Sequence, residues 1–282
     1  MKRGRFAPSA TGALHMGSLT TALASFFSIK KQKGYWSVRI DDIDNSRNQP
    51  EAVSMILEAL KAHGLNADGK IDYQSDHLSI YDKAVKGLEQ NCFACTCTRK
   101  SLRNFPIYPG TCRLNKKMIK DSAMRIQVPD IELYFKDQIH GLQQTELAKE
   151  IGDFILVRRD KVFSYNLTSA CDDGADCITD VVRGADLLKS TANQVFLMHK
   201  LNLEVPTYTH VPLVCHPDGT KLSKQTGAKP LDNKNAKQNI LTAFAFLGLY
   251  RPVDTQSISS LIKWGINNWS LKNLPGMFSP YF

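Results

Sequence analysis

The sequence predicts an α/β fold built on a parallel sheet, interrupted by an insertion and closed by a helical tail. Three observations predict it. Strand and helix patterns alternate from Arg3 to Gly64, a cysteine-bearing stretch then breaks the alternation, and regular patterning resumes at Phe154. Such alternation marks a parallel sheet with helices on its faces. In order, Arg3 to Ala7 makes a short strand leading into the loop Pro8 to Leu14. From Met16 to Lys33, Leu19, Leu23, Phe26 or Phe27, and Ile29 recur at helical spacing. Gly34 is expected to end that helix, because glycine tolerates the left-handed conformation. Trp36 to Ile40 alternates as a strand and runs into Asp41-Asp42-Ile43-Asp44. Pro50 and Glu51 open the next helix, with Val53, Leu57 and Leu60 on one face and Gly64 beyond it. Cys92 to about Glu150, with strand-like pieces such as Ala123 to Val128, reads as the insertion. Phe154 to Val157 and Val162 to Leu167 read as extended segments joined by a turn at Arg159-Asp160-Lys161. Thr191, Val195, Met198 and Leu201 mark a helix, and His210 to Val214 a strand ending at Pro217-Asp218-Gly219. From Ala236, Ile240, Phe244, Leu247, Ile258, Leu261 and Ile262 suggest a small helical appendage. The expected segments are 1–91 and 151–230 as two halves of one domain, 92–150 as the insertion and 231–282 as the tail.

Composition narrows the class. The 282 residues are 43% hydrophobic and 22% charged, enough for a packed core rather than a disordered chain. Phe244 to Leu249 is the longest nearly apolar run, far short of the ~20 residues that span a bilayer. The basic start Met1 to Arg5 is followed by Pro8 to Gly12 where an export signal needs apolar residues. A cytoplasmic, membrane-free protein is expected. The seven cysteines are odd in number and unevenly spread, which suits metal binding or free thiols better than disulfides. Thirty-six Lys and Arg against 27 Asp and Glu give +9, which favours a polyanionic partner. Arg99 to Arg103, Arg113 to Lys120 and Lys221 to Lys237 are the basic runs.

Two motifs carry chemistry. The loop Pro8 to Ser18 joins a strand to a helix, a junction that presents free backbone N–H groups and a positive dipole end to an anion. Gly12 and Gly17 allow close approach and His15 can reach a phosphate oxygen, although no Walker A or G-x-G-x-x-G pattern is present. Lys221-Leu222-Ser223-Lys224-Gln225, between Gly219 and Gly227, can close on charge developing at an attacked phosphate. Either motif alone has a plainer reading, an ordinary histidine or a solvated basic loop.

Together, in this order and about two hundred residues apart, they resemble the HIGH and KMSKS signatures of class I aminoacyl-tRNA synthetases. Arg5 to Ser9, Arg39 to Asp44, Val182 to Leu187 and Lys221 to Gln225 look like the glutamyl branch. The short chain and the cysteine segment point to its catalytic-domain-only members, with the similarity spanning residues 3 to 230. The resemblance implies a Rossmann-type class I catalytic domain with a zinc-binding insertion and a small C-terminal helical segment. It implies glutamate contacts at Arg5, Phe6, Ala7, Pro8, Ser9, Asp41, Tyr165 and Arg183. It places ATP at Thr11, Gly12, His15, Gly17, Ser18, Lys221, Ser223 and Lys224, with His15 and Lys224 catalytic and magnesium accompanying the nucleotide. Guanidinium groups for two carboxylates and an acid for one ammonium are sensible chemistry for glutamate. Position 41 is Asp where the family has Glu, Ala10 replaces a proline, and the cysteine segment is one residue shorter than usual.

In that segment, Cys95 and Cys97 with Cys112 supply three corners of a tetrahedral zinc site. The resemblance assigns the fourth to Tyr108, while the residues themselves leave Cys92 as a rival. One structural zinc per chain is expected, since four protein ligands leave no open position. The implied activity is ATP-dependent formation of glutamyl-adenylate and transfer of glutamate to the queuosine base of tRNA(Asp), by a monomer. A truncated glutamyl-tRNA synthetase charging a 3′ end is the first rival, disfavoured because about 45 residues follow Ala236, too few for an anticodon domain. A non-catalytic tRNA-binding module is the second, and the presence of His15 and Lys224 argues against it.

Overall fold

In the computed structural model, residues 1–115, 119–215, 220, 222, 227–250, 257–274 and 278–279 are described. The strand–helix alternation appears at once. β1 (Arg3–Phe6), α1 (Met16–Lys31) and β2 (Tyr35–Ile40) form a βαβ unit in which β1 and β2 pair in parallel, Arg5 opposite Ser37. α2 (Ala52–Ala62), β3 (Asp72–Tyr73), α3 (Leu78–Leu88), β4 (Cys92–Cys95) and α4 (Arg99–Leu102) follow. Next come β5 (Ala123–Ile126), β6 (Glu132–Asp137), β7 (Gly141–Glu146), β8 (Phe154–Val157), α5 (Tyr165–Ala175) and β9 (Asp180–Gly184). α6 (Leu188–Lys200), β10 (Thr207–Val211), β11 (Leu213–Val214), α7 (Ala236–Phe246), α8 (Ile258–Asn268) and β12 (Phe278–Ser279) complete the order.

The main sheet runs β3-β2-β1-β9-β10-β6-β7, parallel throughout except for the β6–β7 hairpin at one edge. β1 sits where the strand order reverses, β2 on one side and β9 on the other. In open α/β sheets, that reversal opens a crevice at the carboxyl ends of the strands. β4, β5 and β8 form a separate three-stranded antiparallel sheet, so the segment 92–150 contributes to both sheets.

Three local expectations change. Lys33, at φ 54°, takes the left-handed position after α1; Gly34 is instead where the Lys2 carbonyl would stand 2.6 Å from a Cβ. Val162 to Leu167 does not continue as a strand, because the Ser164 side chain caps α5 by accepting the Leu167 N–H. The C-terminal helices are no appendage. α1 buries Leu19, Leu23, Phe26, Phe27 and Ile29 around most of its circumference, so it needs cover on its outer side as well. α7 and α8 provide it, with Phe244 edge-on to Phe27 at 5.8 Å, and Trp269 Nε1 donating to Ser28 Oγ at 2.8 Å. Ile240, Phe244, Leu261 and Trp269 thereby belong to the same core as α1 and α2, while α3, α5 and α6 pack in a second one.

Candidate active site

A cavity of about 280 Å³ lies over the carboxyl ends of β1, β9 and β10. Its wall brings together Arg5, Phe6, Ala7, Pro8, Ser9, Thr11, His15, Gly17, Ser18, Tyr165 and Arg183, joined by Asp186 and Leu222. An adjoining recess shares Ser9, Thr11 and Tyr165 and adds Asp41, Asp44, Arg47 and Arg158. Gly12 turns the loop at φ 128°, a conformation open to glycine. Lys221, Ser223 and Lys224 lie outside the described residues, as does the turn Pro217-Asp218-Gly219. Leu222 between them is buried and donates its N–H to the Val214 carbonyl at 2.9 Å.

His15 is the cap of α1: its Nδ1 accepts the Ser18 N–H at 3.4 Å. With Nδ1 accepting, the neutral ring carries its proton on Nε2, which can donate to a phosphate oxygen at the positive end of the helix.

Beneath the cavity lies a buried ionic lattice. Arg5 Nε and Nη2 donate to the two oxygens of Asp173 at 2.9 and 3.0 Å, and Arg39 Nη1 donates to Asp173 Oδ1 at 3.0 Å. Arg39 Nε donates to Asp41 Oδ1 at 2.9 Å and lies 3.4 Å from Asp172 Oδ2. Asp172 also accepts from Tyr81 and Gln74, each at 2.7 Å, and its Oδ1 lies 3.0 Å from His77 Nδ1. Burial would push Asp173 up, but Arg5 and Arg39 outweigh it and hold the carboxyl below its usual range. Asp41 comes out the other way: burial outweighs Arg39 and raises it to about 6. Asp41 Oδ2 is buried and has no hydrogen-bond partner among the described residues. Backbone bonds fix it beside the loop, Asp41 N–H to the Pro8 carbonyl at 3.0 Å and Ala10 N–H to the Asp41 carbonyl at 3.2 Å. The Arg5 fork is thus spent on Asp173, and Nη1 is the end that makes no hydrogen bond among the described residues.

Arg183 is held on three sides. Nε donates to His210 Nε2 at 3.1 Å, Nη1 to Gln194 Oε1 at 2.7 Å and more distantly to the Tyr165 hydroxyl at 3.5 Å, and Nη2 to Thr191 Oγ1 at 2.8 Å. Burial and the facing Arg183 hold His210 below its ordinary value against the pull of Asp137.

Sequence reasoning named the cavity-lining residues but assigned no role to Arg39, Asp172, Asp173, Asp137 or His210. The one signal in reach was Asp172-Asp173, adjacent carboxylates in a helix with no other charged residue, and both are buried.

The thiol cluster lies apart from the cavity. The Sγ atoms of Cys95, Cys97 and Cys112 are all within 4.8 Å of one another. Cys97 Sγ is 3.6 Å from Cys112 Sγ, and the Tyr108 hydroxyl is 3.6 Å from Cys95 Sγ and 3.9 Å from Cys97 Sγ. A tetrahedral ion with ~2.3 Å bonds to sulfur separates its ligands by ~3.8 Å, so these four donors fit zinc in kind and spacing. Burial would raise the Cys112 thiol, but hydrogen bonds from Tyr108, the Thr96 backbone and Cys97 bring it down to about 7. Cys92 is on the other face of β4, three residues from Cys95, and packs in the core with Tyr81, Ile126 and Leu156. Tyr108, not Cys92, is the side chain that stands beside the thiols. Arg159 donates to the carbonyl oxygens of Thr96 and Cys97 at 2.9 and 3.4 Å, tying the cluster to the turn after β8.

A crevice at the sheet's reversal point, entered by a histidine-capped helix, defines the catalytic domain of a class I tRNA synthetase. The family described as tRNA synthetases class I (E and Q), catalytic domain, matches residues 2–105 and 111–257. Glutamyl-Q tRNA(Asp) synthetase of Pseudomonas fluorescens is 40% identical over 281 residues, covering 98% of this chain and 94% of that protein. The protein of that name from Vibrio parahaemolyticus is 41% identical over 277 residues, 96% of this chain and 94% of its own. The crystal structure of a glutamate tRNA ligase from Elizabethkingia meningosepticum, in complex with its amino acid, aligns with a TM-score of 0.77 at 25% identity. That alignment covers 97% of this chain, which spans 65% of the ligase's length. The chain belongs to the class I (E and Q) tRNA synthetases and, within them, to the glutamyl-Q tRNA(Asp) synthetase family; it is a ligase. No helix among the described residues is long and apolar enough to cross a membrane.

Proposed function

We propose that this chain activates L-glutamate with ATP and transfers the glutamyl group to the queuosine base in the anticodon loop of tRNA(Asp). The cavity carries the reading: Arg5 and Arg183 in its wall, the partnerless Asp41 Oδ2 in the adjoining recess, and His15 at the helix start. Those groups suit a ligand with two carboxylates and one ammonium, set beside a triphosphate. Arg5 Nη1, Arg183 and Tyr165 would take the carboxylates, with Phe6, Ala7, Pro8 and Ser9 shaping the wall, and Asp41 would take the ammonium. Thr11, Gly12, His15, Gly17 and Ser18 would hold ATP, whose magnesium would neutralise phosphate charge. Lys221, Ser223 and Lys224 keep the roles that the sequence resemblance implies for them.

A glutamate α-carboxylate oxygen would attack the α-phosphorus and expel pyrophosphate. His15 and Lys224 would stabilise charge in that step, catalysis by positioning and electrostatics. A hydroxyl of the queuosine ring would then attack the activated carbonyl and release AMP. Cys95, Cys97, Tyr108 and Cys112 would hold one structural zinc, which cross-links the loop and takes no part in the reaction. The name borne by the relatives supports the acceptor, and the +9 net charge suits a polyanion. The test combines labelled glutamate and ATP with tRNA(Asp) that has or lacks queuosine, then nuclease digestion to find the labelled nucleotide. Label on the queuosine nucleotide, dependent on that base, is expected; label on the terminal adenosine would overturn the reading.

A further inference from the structure

We infer that Asp137 and His210 form a positioning pair for Arg183: the Asp137 carboxylate fixes one tautomer of a neutral imidazole, which aims the guanidinium into the cavity. The inference rests on the proposed role of Arg183 toward a glutamate carboxylate.

The three residues lie on β6, β10 and β9, adjacent strands in the sheet, and His210 is the direct register partner of Arg183. Their exposures are 1%, 0% and 4%, so water cannot substitute for any of the bonds between them. Asp137 Oδ1 accepts the N–H groups of Ile139 and His140 at 2.9 and 2.8 Å. Asp137 Oδ2 accepts the His210 backbone N–H at 3.0 Å and lies 2.7 Å from His210 Nδ1. A carboxylate surrounded by donors needs the fourth group to donate too, so Nδ1 carries the ring proton. Nε2 is then a lone pair, and it faces the Arg183 Nε–H at 3.1 Å. The opposite tautomer would set N–H against N–H at that distance. Gln194 and Thr191 hold the two ends of the guanidinium, and His210 holds its Nε edge. The neighbouring polar groups are Asp137, Arg183, the Thr191 hydroxyl, whose single proton lies between Nε2 at 3.0 Å and the Leu187 carbonyl at 2.9 Å, and His140, whose Nε2 lies 3.0 Å from the His210 carbonyl. Positioning by a histidine whose tautomer is set by a carboxylate is general chemistry of imidazole.

Asp137→Asn keeps the shape and replaces one acceptor by an NH₂ group. In the place of Oδ2 that group opposes the His210 backbone N–H and can donate to Nδ1 only if the imidazole moves its proton to Nε2, directly opposing Arg183. The expected result is a rise of about tenfold or more in KM for glutamate during ATP–pyrophosphate exchange, the weight of one hydrogen bond to a charged group. KM for ATP should stay within about twofold, kcat should fall less than KM rises, and ¹⁵N shifts of His210 should report protonation at Nε2. Unchanged KM for glutamate, or equal rises for glutamate and ATP, would overturn the pairing. If Asp137→Asn does not fold, His210→Gln and His210→Leu decide the matter. The glutamine oxygen can stand near the place of Nε2 and should preserve affinity that leucine loses; equal KM values in both would overturn it. Arg183→Ala separates the two claims: normal glutamate KM there removes the role of Arg183 itself, whereas a raised KM beside a normal Asp137→Asn removes only the pair.

Discussion

The ionic lattice under β1 and β2 and the thiol cluster beside β4 both bury groups that are costly to remove from water, yet they are compensated differently. In the lattice, Arg5 and Arg39 face Asp41, Asp172 and Asp173, so two cations stand against three carboxylates and most of the charge is compensated within the chain. In the cluster, three thiols and a phenol contact mainly one another at 3.6 to 3.9 Å, and the nearby Arg113 is paired with Asp153 instead. The lattice is therefore built to keep its shape before a ligand arrives. The cluster is a set of donors in which the Arg125 guanidinium lies over the face of the Tyr108 ring at 4.2 Å, and among the described residues no cation pairs with the thiols themselves.

The largest test of this contrast is Cys97→Ser. Elemental analysis should find one zinc per wild-type chain and none in the variant, since structural zinc contributes about 10–16 kcal/mol of binding free energy to such sites. Retained stoichiometric zinc would show that the cluster does not depend on that thiol. Tyr108→Phe should weaken binding while Cys92→Ser leaves it intact; the reverse pattern would return the fourth corner to Cys92.

Next comes Asp173→Ala, which strands Arg5 and Arg39 without their shared carboxylate. Removing one member of a buried pair costs about 3–5 kcal/mol, to be read by equilibrium denaturation. A loss near zero would mean that the lattice is not the compensated unit described above.

Asp41 marks the place where the lattice is incomplete. Raised to about 6, its carboxylate is mostly protonated below that value and charged above it. A bound ammonium favours the charged form, so binding releases a proton at low pH. KM for glutamate should fall by about tenfold per pH unit on rising toward 6 and level off above it. Asp41→Asn should raise KM by about 10–100-fold, the loss of a charge-assisted hydrogen bond, and should remove this inflection. An unchanged inflection would assign it to another group.

The smallest effect is expected from selectivity at the arginine end. Because the Arg5 fork is already engaged by Asp173, discrimination of glutamate from glutamine falls mainly to Arg183 and the remaining Arg5 Nη1. Glutamate should still dominate pyrophosphate exchange, since an amide leaves a buried cation poorly matched. Equal exchange with glutamine would overturn that reading.

Local pattern carried much of the fold and site. The first βαβ unit, the Pro8 to Ser18 loop and the Cys95–Cys97–Cys112 spacing were legible because each depends on residues close in the chain. Even the choice between Tyr108 and Cys92 turns on strand parity, which follows once Cys92 to Cys95 is known to be extended. Other features depend on partners far apart in sequence. Asp173 meets Arg5 across 168 positions and His210 meets Asp137 across 73, and no periodicity records such pairings. The C-terminal helices read as a small appendage because amphipathic spacing shows that a face is apolar but not what it covers. What the sequence determined by itself was which segments fold locally and which chemistry they carry. What only the tertiary structure decided was the pairing of buried charges, because an isolated Asp or Arg reads as solvated surface until the sheet brings its counter-charge within hydrogen-bond reach.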